Sequence, residues 1–217
     1  MDETEFFHVL NRGVDKRDVM MDDRDRVRFI HDFFVFNDQT FALHPAQPDR
    51  REESGARKLL VRIHAFCLMP NHFHLLLSPL IENGISLFMQ KLGMGYAKYF
   101  NERYDRSGAL WQGKYKRIHI ERDEHFQYIP FYIHLNALDL AFPEWRTGGV
   151  QDTRGALDFL QSYRWSSHLD YSGTRNFPSI THREELAPLL GSKRRYEGEI
   201  VNIISDPDIA ASSMSIE

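Results

Sequence analysis

The sequence contains only one cysteine, Cys67, among its 217 residues. An internal disulfide and a zinc module built from several cysteines are therefore excluded, and a reducing compartment is indicated. No stretch approaches the roughly 18 consecutive apolar residues of a membrane-spanning helix, and the opening segment, MDETEFFHVL, lacks the basic start of a secretory signal. We therefore expect a cytoplasmic protein with no membrane partner.

A Gly-Lys-Ser/Thr phosphate-binding loop and internal repeats are also missing, so no nucleotide cofactor and no solenoid are expected. Apolar residues make up 42% of the chain and charged residues 27%, which is close to the composition of an ordinary globular protein. This length and composition predict one main domain with an appendage.

The net charge of −4 conceals an uneven distribution. Residues 88–122 contain eight Lys or Arg residues against three acidic ones, whereas residues 197–217 contain five acidic residues and no Lys or Arg. A concentration of positive charge is typical of a surface that neutralises phosphates, although a solvated basic helix face is the alternative.

The periodicity of the chain predicts a strand, a helix, two strands, a helix, a strand and a helix. These elements lie at about residues 6–10, 22–37, 59–68, 72–77, 86–104, within 108–120, where a loop runs into the strand, and from 123 onward. This order predicts an α+β, ferredoxin-like sandwich, in which an antiparallel sheet of about four strands carries helices on one face. The charged segment 45–58 is predicted to be a loop.

We assign three parts to the chain. Residues 1–141 form the core, residues 142–196 form a C-terminal extension of the same domain, and residues 197–217 form an acidic, disordered tail.

Two histidines, His72 and His74, alternate with Phe73 in a predicted strand. Alternation places both imidazoles on one face, where they could form half of a divalent-metal site. Spacing alone also fits two ordinary half-buried histidines.

A second candidate pair, Tyr132 and Asn136, is four residues apart in a predicted helix and therefore lies on one helix face. A tyrosine nucleophile and an amide oxygen that binds metal could meet there. The alternative is that Tyr132 is a packing aromatic with its hydroxyl at the rim.

The sequence resembles the REP-associated tyrosine transposases, a branch of the single-tyrosine insertion-sequence transposases within the HUH nucleases. Five motifs carry the resemblance, in the order of the family: His8-Val9 with Asn11-Arg12-Gly13, Cys67 to Leu77, Gly108 to Lys116, Tyr132 to Asn136, and Tyr163 to Ser167.

This resemblance implies a transposase that cleaves single-stranded DNA beside hairpin repeats through a 5′-phosphotyrosine intermediate. It implies that Tyr132 is the nucleophile and that His72, His74 and Asn136 bind the metal. Imidazole and oxygen ligands together suit Mg²⁺ or Mn²⁺. The sequence does not identify the general base that would deprotonate Tyr132. The nearby candidates are His119, His125 and His134.

Aromatic and cationic residues interleave after Gly108, a mixture that suits an unpaired strand of DNA. Trp111 is open to a second interpretation as a core aromatic that anchors its loop. The candidate DNA-binding residues are Arg12, Trp111, Gln112, Lys114, Tyr115, Lys116 and Arg117.

The chain departs from the family pattern in two places. Ala137-Leu138-Asp139 replaces the usual Pro-Val-Arg after Asn136, which removes a basic residue and adds a carboxylate. Pro130 is expected to kink or restart the helix before Tyr132, which makes Tyr128 the alternative nucleophile.

Two rival functions remain. One is a non-catalytic nucleic-acid-binding module like an RNA-recognition domain, although the Lys/Arg-Gly-Phe/Tyr motif of that class is missing. The other is a decayed transposase that binds hairpin DNA or RNA and cuts poorly. A monomer is favoured over a homodimer.

Overall fold

The computed structural model describes residues 4–39, 57–121 and 123–209. Most of the predicted loop 45–58 therefore lies outside the described residues. The strands are β1 (Phe7–Arg12), β2 (Val61–Leu68), β3 (His72–Pro79) and β4 (Lys116–His119). The helices are α1 (Asp23–Phe36), α2 (Gly84–Arg103), α3 (Asp123–Leu135), α4 (Thr153–Ser162), α5 (His168–Tyr171), α6 (Ala187–Leu190) and α7 (Lys193–Ser205). No helix in these ranges is both long and apolar enough to cross a bilayer.

The four strands form one sheet in the order β2-β3-β1-β4, and all neighbours are antiparallel. Helix α1 connects β1 to β2, and α2 connects β3 to β4. This arrangement is the split β-α-β-β-α-β topology of a ferredoxin-like fold. The predicted fold class is therefore confirmed.

Local chemistry sets the ends of these elements. Asp22 accepts hydrogen bonds from the backbone N–H groups of Arg24 and Asp25 and so caps the start of α1. Between β2 and β3, the N–H of Met69 donates to the carbonyl of His72 over 2.8 Å, which closes a tight turn at Pro70. This turn determines where β3 begins and so where its first histidine lies.

The helices cover both faces of the sheet, whereas the sequence predicts helices on one face. Phe73 and Leu75 pack with residues of α1 and α2, but Cys67 and Leu76 pack with α3 and the C-terminal helices. The physical reason is that apolar side chains also lie on the second face, where Ala65 and Cys67 of β2 and Leu76 of β3 have to be covered.

The C-terminal extension shares its core with α3. Ile200, Ile203 and Ile204 of α7 are fully buried in the same cluster as Ile133 of α3. The prediction of a disordered tail from residue 197 is therefore wrong as far as Ser205, because isoleucines at helical spacing outweigh the acidic charge. Residues 210–217 lie outside the described ranges.

Candidate active site

The histidine pair of β3 projects from the face of the sheet that α3 covers. His72 and His74 have ring centroids 5.0 Å apart, and they are 9% and 1% exposed. Antiparallel pairing sets Arg12 of β1 opposite His72 and Leu10 opposite His74. Paired residues share a face, so Arg12 lies on the same side of the sheet as the two imidazoles.

A third histidine, His8, supports this pair. Its Nε2 atom lies 2.9 Å from Nδ1 of His74, and the two rings stack with centroids 5.1 Å apart. Sequence reasoning missed this role of His8, although alternation along β1 places its side chain on the same face. Burial, together with the positive charges of neighbouring His and Arg groups, holds the pKa of His74 well below its usual value. His74 is therefore neutral near neutral pH.

The predicted nucleophile, Tyr132, lies against these histidines. Its ring is edge-on to His74 at a centroid distance of 5.8 Å and edge-on to His8 at 5.9 Å. Helix α3 is continuous through Pro130, so the expected restart of the helix before Tyr132 does not occur. The side chain is 1% exposed. The sheet and α3 thus bring together the two parts of the predicted site.

The amide of Asn136 is held at both ends. Its Nδ2 donates to the carbonyl of Tyr132 over 2.7 Å, and its Oδ1 accepts from Nη2 of Arg146 over 2.8 Å. Arg146 in turn forms a double hydrogen bond with Asp139, at 2.8 and 2.6 Å, and hydrogen-bonds the side chain of Tyr132. Burial opposes the charge of Arg146, but the bonds to Asp139 and Tyr132 outweigh it and raise the pKa. Sequence reasoning missed Arg146, because no motif marks it.

The residues present fit a divalent cation at the histidine pair. Nε2 of His74 is buried and has no hydrogen-bond partner within the described part of the chain, which is the state that a metal would satisfy. Nδ1 of His72 lies 2.6 Å from Oδ1 of Asn71, a contact of the kind that orients a ligating imidazole. Oδ1 of Asn136 already accepts from Arg146, but a carbonyl oxygen has a second lone pair.

Within the described residues, no acidic or cysteine side chain adds a further metal ligand to His72 and His74. Among the described residues, no group of three or more His, Cys, Asp and Glu side chains is arranged to hold a metal ion. An amide oxygen or water would therefore have to complete the coordination of a bound cation.

The three predicted general-base candidates do not converge on Tyr132. His134 is buried with its ring nitrogens 2.7 Å from the hydroxyls of Ser167 and Tyr196. His119 stacks on Phe7, which belongs to the core on the opposite face of the sheet. His125 lies two turns before Tyr132 on α3. Within the described residues, the ring of Tyr132 contacts two imidazoles. One is His74 of the predicted metal-binding pair, and the other is His8.

The candidate DNA-binding residues divide into three groups. Lys116 pairs with Leu10 and so shares the face of His74, where Arg12 also lies. Arg117 pairs with Val9 and packs over the ring of Phe7, so it lies on the opposite face.

The remaining candidates belong to the loop before β4. Trp111 packs against Phe73 and Tyr96, and its indole N–H donates to the carbonyl of Gly93 over 3.1 Å, which favours the anchoring interpretation. Tyr115 is half-buried, with its hydroxyl 3.2 Å from that of Ser86. Gln112 and Lys114 are exposed.

Comparison with known proteins finds one family model that matches the part of the chain carrying this site. Residues 53–136 match the family model described as "Transposase IS200 like". No curated protein matches the chain. A solved structure of a REP-associated tyrosine transposase bound to a REP hairpin aligns with 84% of this chain and 87% of its own, at 12% identity and a TM-score of 0.48. The resemblance read from the sequence motifs is therefore confirmed, over residues 53–136, as a match to the IS200-like transposases.

Proposed function

We propose that this protein is a metal-dependent single-strand DNA endonuclease and strand transferase that acts at hairpin repeats through a 5′-phosphotyrosine intermediate. The observation that carries the proposal is the contact between Tyr132 of α3 and His74 of β3, with ring centroids 5.8 Å apart. The matched family range, residues 53–136, includes both residues as well as His72 and Asn136. The hairpin substrate is carried over from the resemblance of the sequence motifs.

In this mechanism the phenolic oxygen of Tyr132 attacks the phosphorus of a DNA phosphodiester. The phenol loses its proton as the new bond joins tyrosine to the 5′ phosphate. The bond from phosphorus to the 3′ oxygen breaks, and that oxygen gains a proton and leaves as a 3′-hydroxyl, so one proton is lost and one is gained. One phosphoester bond replaces another, so a second DNA end can reverse the step without a nucleotide cofactor.

Mg²⁺ or Mn²⁺ is the proposed cofactor, and His72, His74 and Asn136 would hold it. When bound, the cation would polarise the phosphate and offset the negative charge that develops on its oxygens. The neutral state of His74 suits this role, because only a deprotonated imidazole nitrogen can bind a metal.

The DNA strand would approach along the face of the sheet that carries the histidines. Arg12 and Lys116 are exposed on that face and can neutralise backbone phosphates. Gln112 and Lys114, in the loop before β4, would extend this surface. Trp111 and Tyr115 contribute by shaping the loop, since both are engaged inside the protein.

The test is to incubate the protein with labelled single-stranded hairpins taken from DNA flanking its gene, with Mn²⁺ or EDTA, and to resolve the products on a denaturing gel. We expect a covalent adduct with the wild type in Mn²⁺ and none with Tyr132→Phe. Tyr128→Phe is the matched control, one turn earlier on the same helix, and should form the adduct. Adduct formation that survives in Tyr132→Phe would refute the assigned nucleophile.

The alternative function, a decayed transposase that binds hairpins without cutting them, is favoured by one observation. Tyr132 is 1% exposed, and a nucleophile has to reach its phosphate. Tight hairpin binding by the wild type, with no adduct under any metal condition, would support this alternative over the enzyme.

A further inference from the structure

Four side chains close to one another form a ring of contacts beside the histidine pair. Arg146 donates to Oδ1 of Asn136 over 2.8 Å and to both carboxylate oxygens of Asp139, and it hydrogen-bonds Tyr132. Asn136 completes the ring by donating to the backbone carbonyl of Tyr132. Arg146 therefore contacts the proposed nucleophile and the proposed amide ligand at the same time.

The guanidinium of Arg146 is fixed before any substrate arrives. Asp139 receives its Nε at 2.8 Å and its Nη2 at 2.6 Å, the forked geometry that sets the plane of a guanidinium. The indole of Trp145 also donates to Oδ1 of Asp139, over 2.7 Å, and so holds the carboxylate in place. Asp139 thus serves as an anchor rather than as a free negative charge.

Arg146 and its partner Asp139 are the parts of this ring that meet solvent. Tyr132 and Asn136 are 1% and 0% exposed, whereas the side chains of Arg146 and Asp139 are 28% and 27% exposed. A phosphate that approached the buried tyrosine would meet this pair and would be attracted to its guanidinium. Charge-assisted bonds from guanidinium to phosphate are strong and directional, so the phosphate would be held beside the tyrosine.

We propose that Arg146 is the positioning residue of the site, which holds Tyr132 and Asn136 in one geometry and brings a positive charge to the nucleophile. This inference rests on the proposed function. It also accounts for the departure at residues 137–139. Asp139 stands where the family pattern has arginine. Arg146, in the 3-10 helix Pro143–Thr147, supplies a positive charge in place of that arginine.

The experiment compares single-turnover adduct formation in Mn²⁺ with hairpin affinity in EDTA for the same proteins. We expect Arg146→Ala to slow adduct formation on the order of 100-fold, the loss typical of a misplaced reacting group. Its hairpin Kd should rise only severalfold, far less than the rate falls, because the other phosphate contacts remain. Arg154→Ala, which removes an exposed arginine from α4, is the matched control and should keep the wild-type rate.

Two further variants separate positioning from simple support of the fold. Arg146→Lys keeps the charge but loses the fork, so it should recover only part of the rate. Asp139→Arg combined with Arg146→Ala moves the cation to the position of the family arginine and should recover at least tenfold over Arg146→Ala. Melting temperatures show which variants are folded, and the comparison is restricted to those.

Each outcome has a definite meaning. A wild-type rate in folded Arg146→Ala would refute the positioning role, and a faster rate would identify Arg146 as a latch over Tyr132 instead. No rescue by the folded double variant would refute the claim that the charge matters. No adduct with the wild-type protein would refute the proposed function and this inference together, whereas the other failures leave the function intact.

Discussion

Lys116 and Arg117 are neighbours on β4, yet their side chains lie on opposite faces of the sheet. Lys116 pairs with Leu10 on the face of His74, and Arg117 pairs with Val9, whose side chain is buried in the core beneath α1 and α2. The two residues carry the same charge one position apart. They therefore offer a direct test of which face binds DNA.

We predict that Lys116→Ala weakens hairpin binding severalfold and lowers the slope of log K against log salt by about 0.7 to 0.9, the change for one lost phosphate contact. Arg117→Ala is the matched control and should leave both quantities nearly unchanged. Fluorescence anisotropy over a range of salt concentrations measures them. Equal losses in the two variants would place the DNA elsewhere than on the histidine face.

A second prediction is that His8 orients His74 for metal binding by accepting a hydrogen bond from it. For Nε2 of His74 to bind a cation, its Nδ1 has to carry the proton and donate it to Nε2 of His8, 2.9 Å away. His8→Leu removes that acceptor and should weaken Mn²⁺ binding about 10- to 100-fold, while His8→Gln, which keeps an acceptor, should lose less.

Calorimetric titration of Mn²⁺ into the three proteins, in the absence of DNA, measures this effect. His119→Leu, on the opposite face of the sheet, is the control and should bind Mn²⁺ like the wild type. Unchanged Mn²⁺ affinity in His8→Leu would contradict the role of His8 and would weaken the assignment of His74 as a ligand.

Local sequence patterns were sufficient to predict much of the fold and the spacing within each of the two residue pairs of the candidate site. Alternation along β3 placed His72 and His74 on one face, and helical spacing placed Tyr132 and Asn136 one turn apart, although α3 ends at Leu135 and Asn136 begins the 3-10 helix that follows. These relationships depend on residues close together in the chain. The order of strands and helices then predicted the sheet, but not that α3 would cover its second face and meet the histidines there.

The parts that were missed depend on contacts between distant or irregular segments. Arg146 reaches Asn136 from a separate 3-10 turn, and no periodic pattern encodes that approach. His8 meets His74 across 66 positions of sequence. The order of α7 was missed because composition counts its acidic residues but ignores the helical spacing of its isoleucines.

A third prediction separates the two roles considered for Trp111. The ring packs edge-on to Phe73 with centroids 5.4 Å apart, and its N–H is bonded to the carbonyl of Gly93. If it anchors its loop, Trp111→Ala should lower the free energy of unfolding by about 3 kcal/mol, near the lower end for loss of a packed aromatic. Trp111→Phe should retain most of the hairpin affinity.

Urea unfolding and hairpin binding of the same two variants provide the measurement. A stable Trp111→Ala protein that has lost hairpin binding would show that the indole stacks on a base instead. Leu87→Ala, at an exposed position on α2, serves as a control for apolar truncation at the surface and should change neither quantity.

The last prediction concerns acid sensitivity of the C-terminal core. His168 is fully buried, with Nδ1 3.0 Å from the hydroxyl of Tyr196, and burial followed by the charge of Lys193 lowers its pKa from 6.5 to about 4. Between these two values the unfolded chain binds a proton that the folded chain does not. The stability is therefore fully present above about pH 6.5 and is lost as the pH falls toward 4, at up to about 1.4 kcal/mol per pH unit.

Replacing His168 with glutamine removes this titration while it retains a side chain that can bond Tyr196. The loss of unfolding free energy between about pH 7 and about pH 5 should then shrink by about 1 to 2 kcal/mol, as measured by urea unfolding at each pH. An identical pH dependence in His168→Gln would mean that other groups, such as the buried His64 and His134, account for the acid sensitivity, since the pKa of each is also lowered by burial.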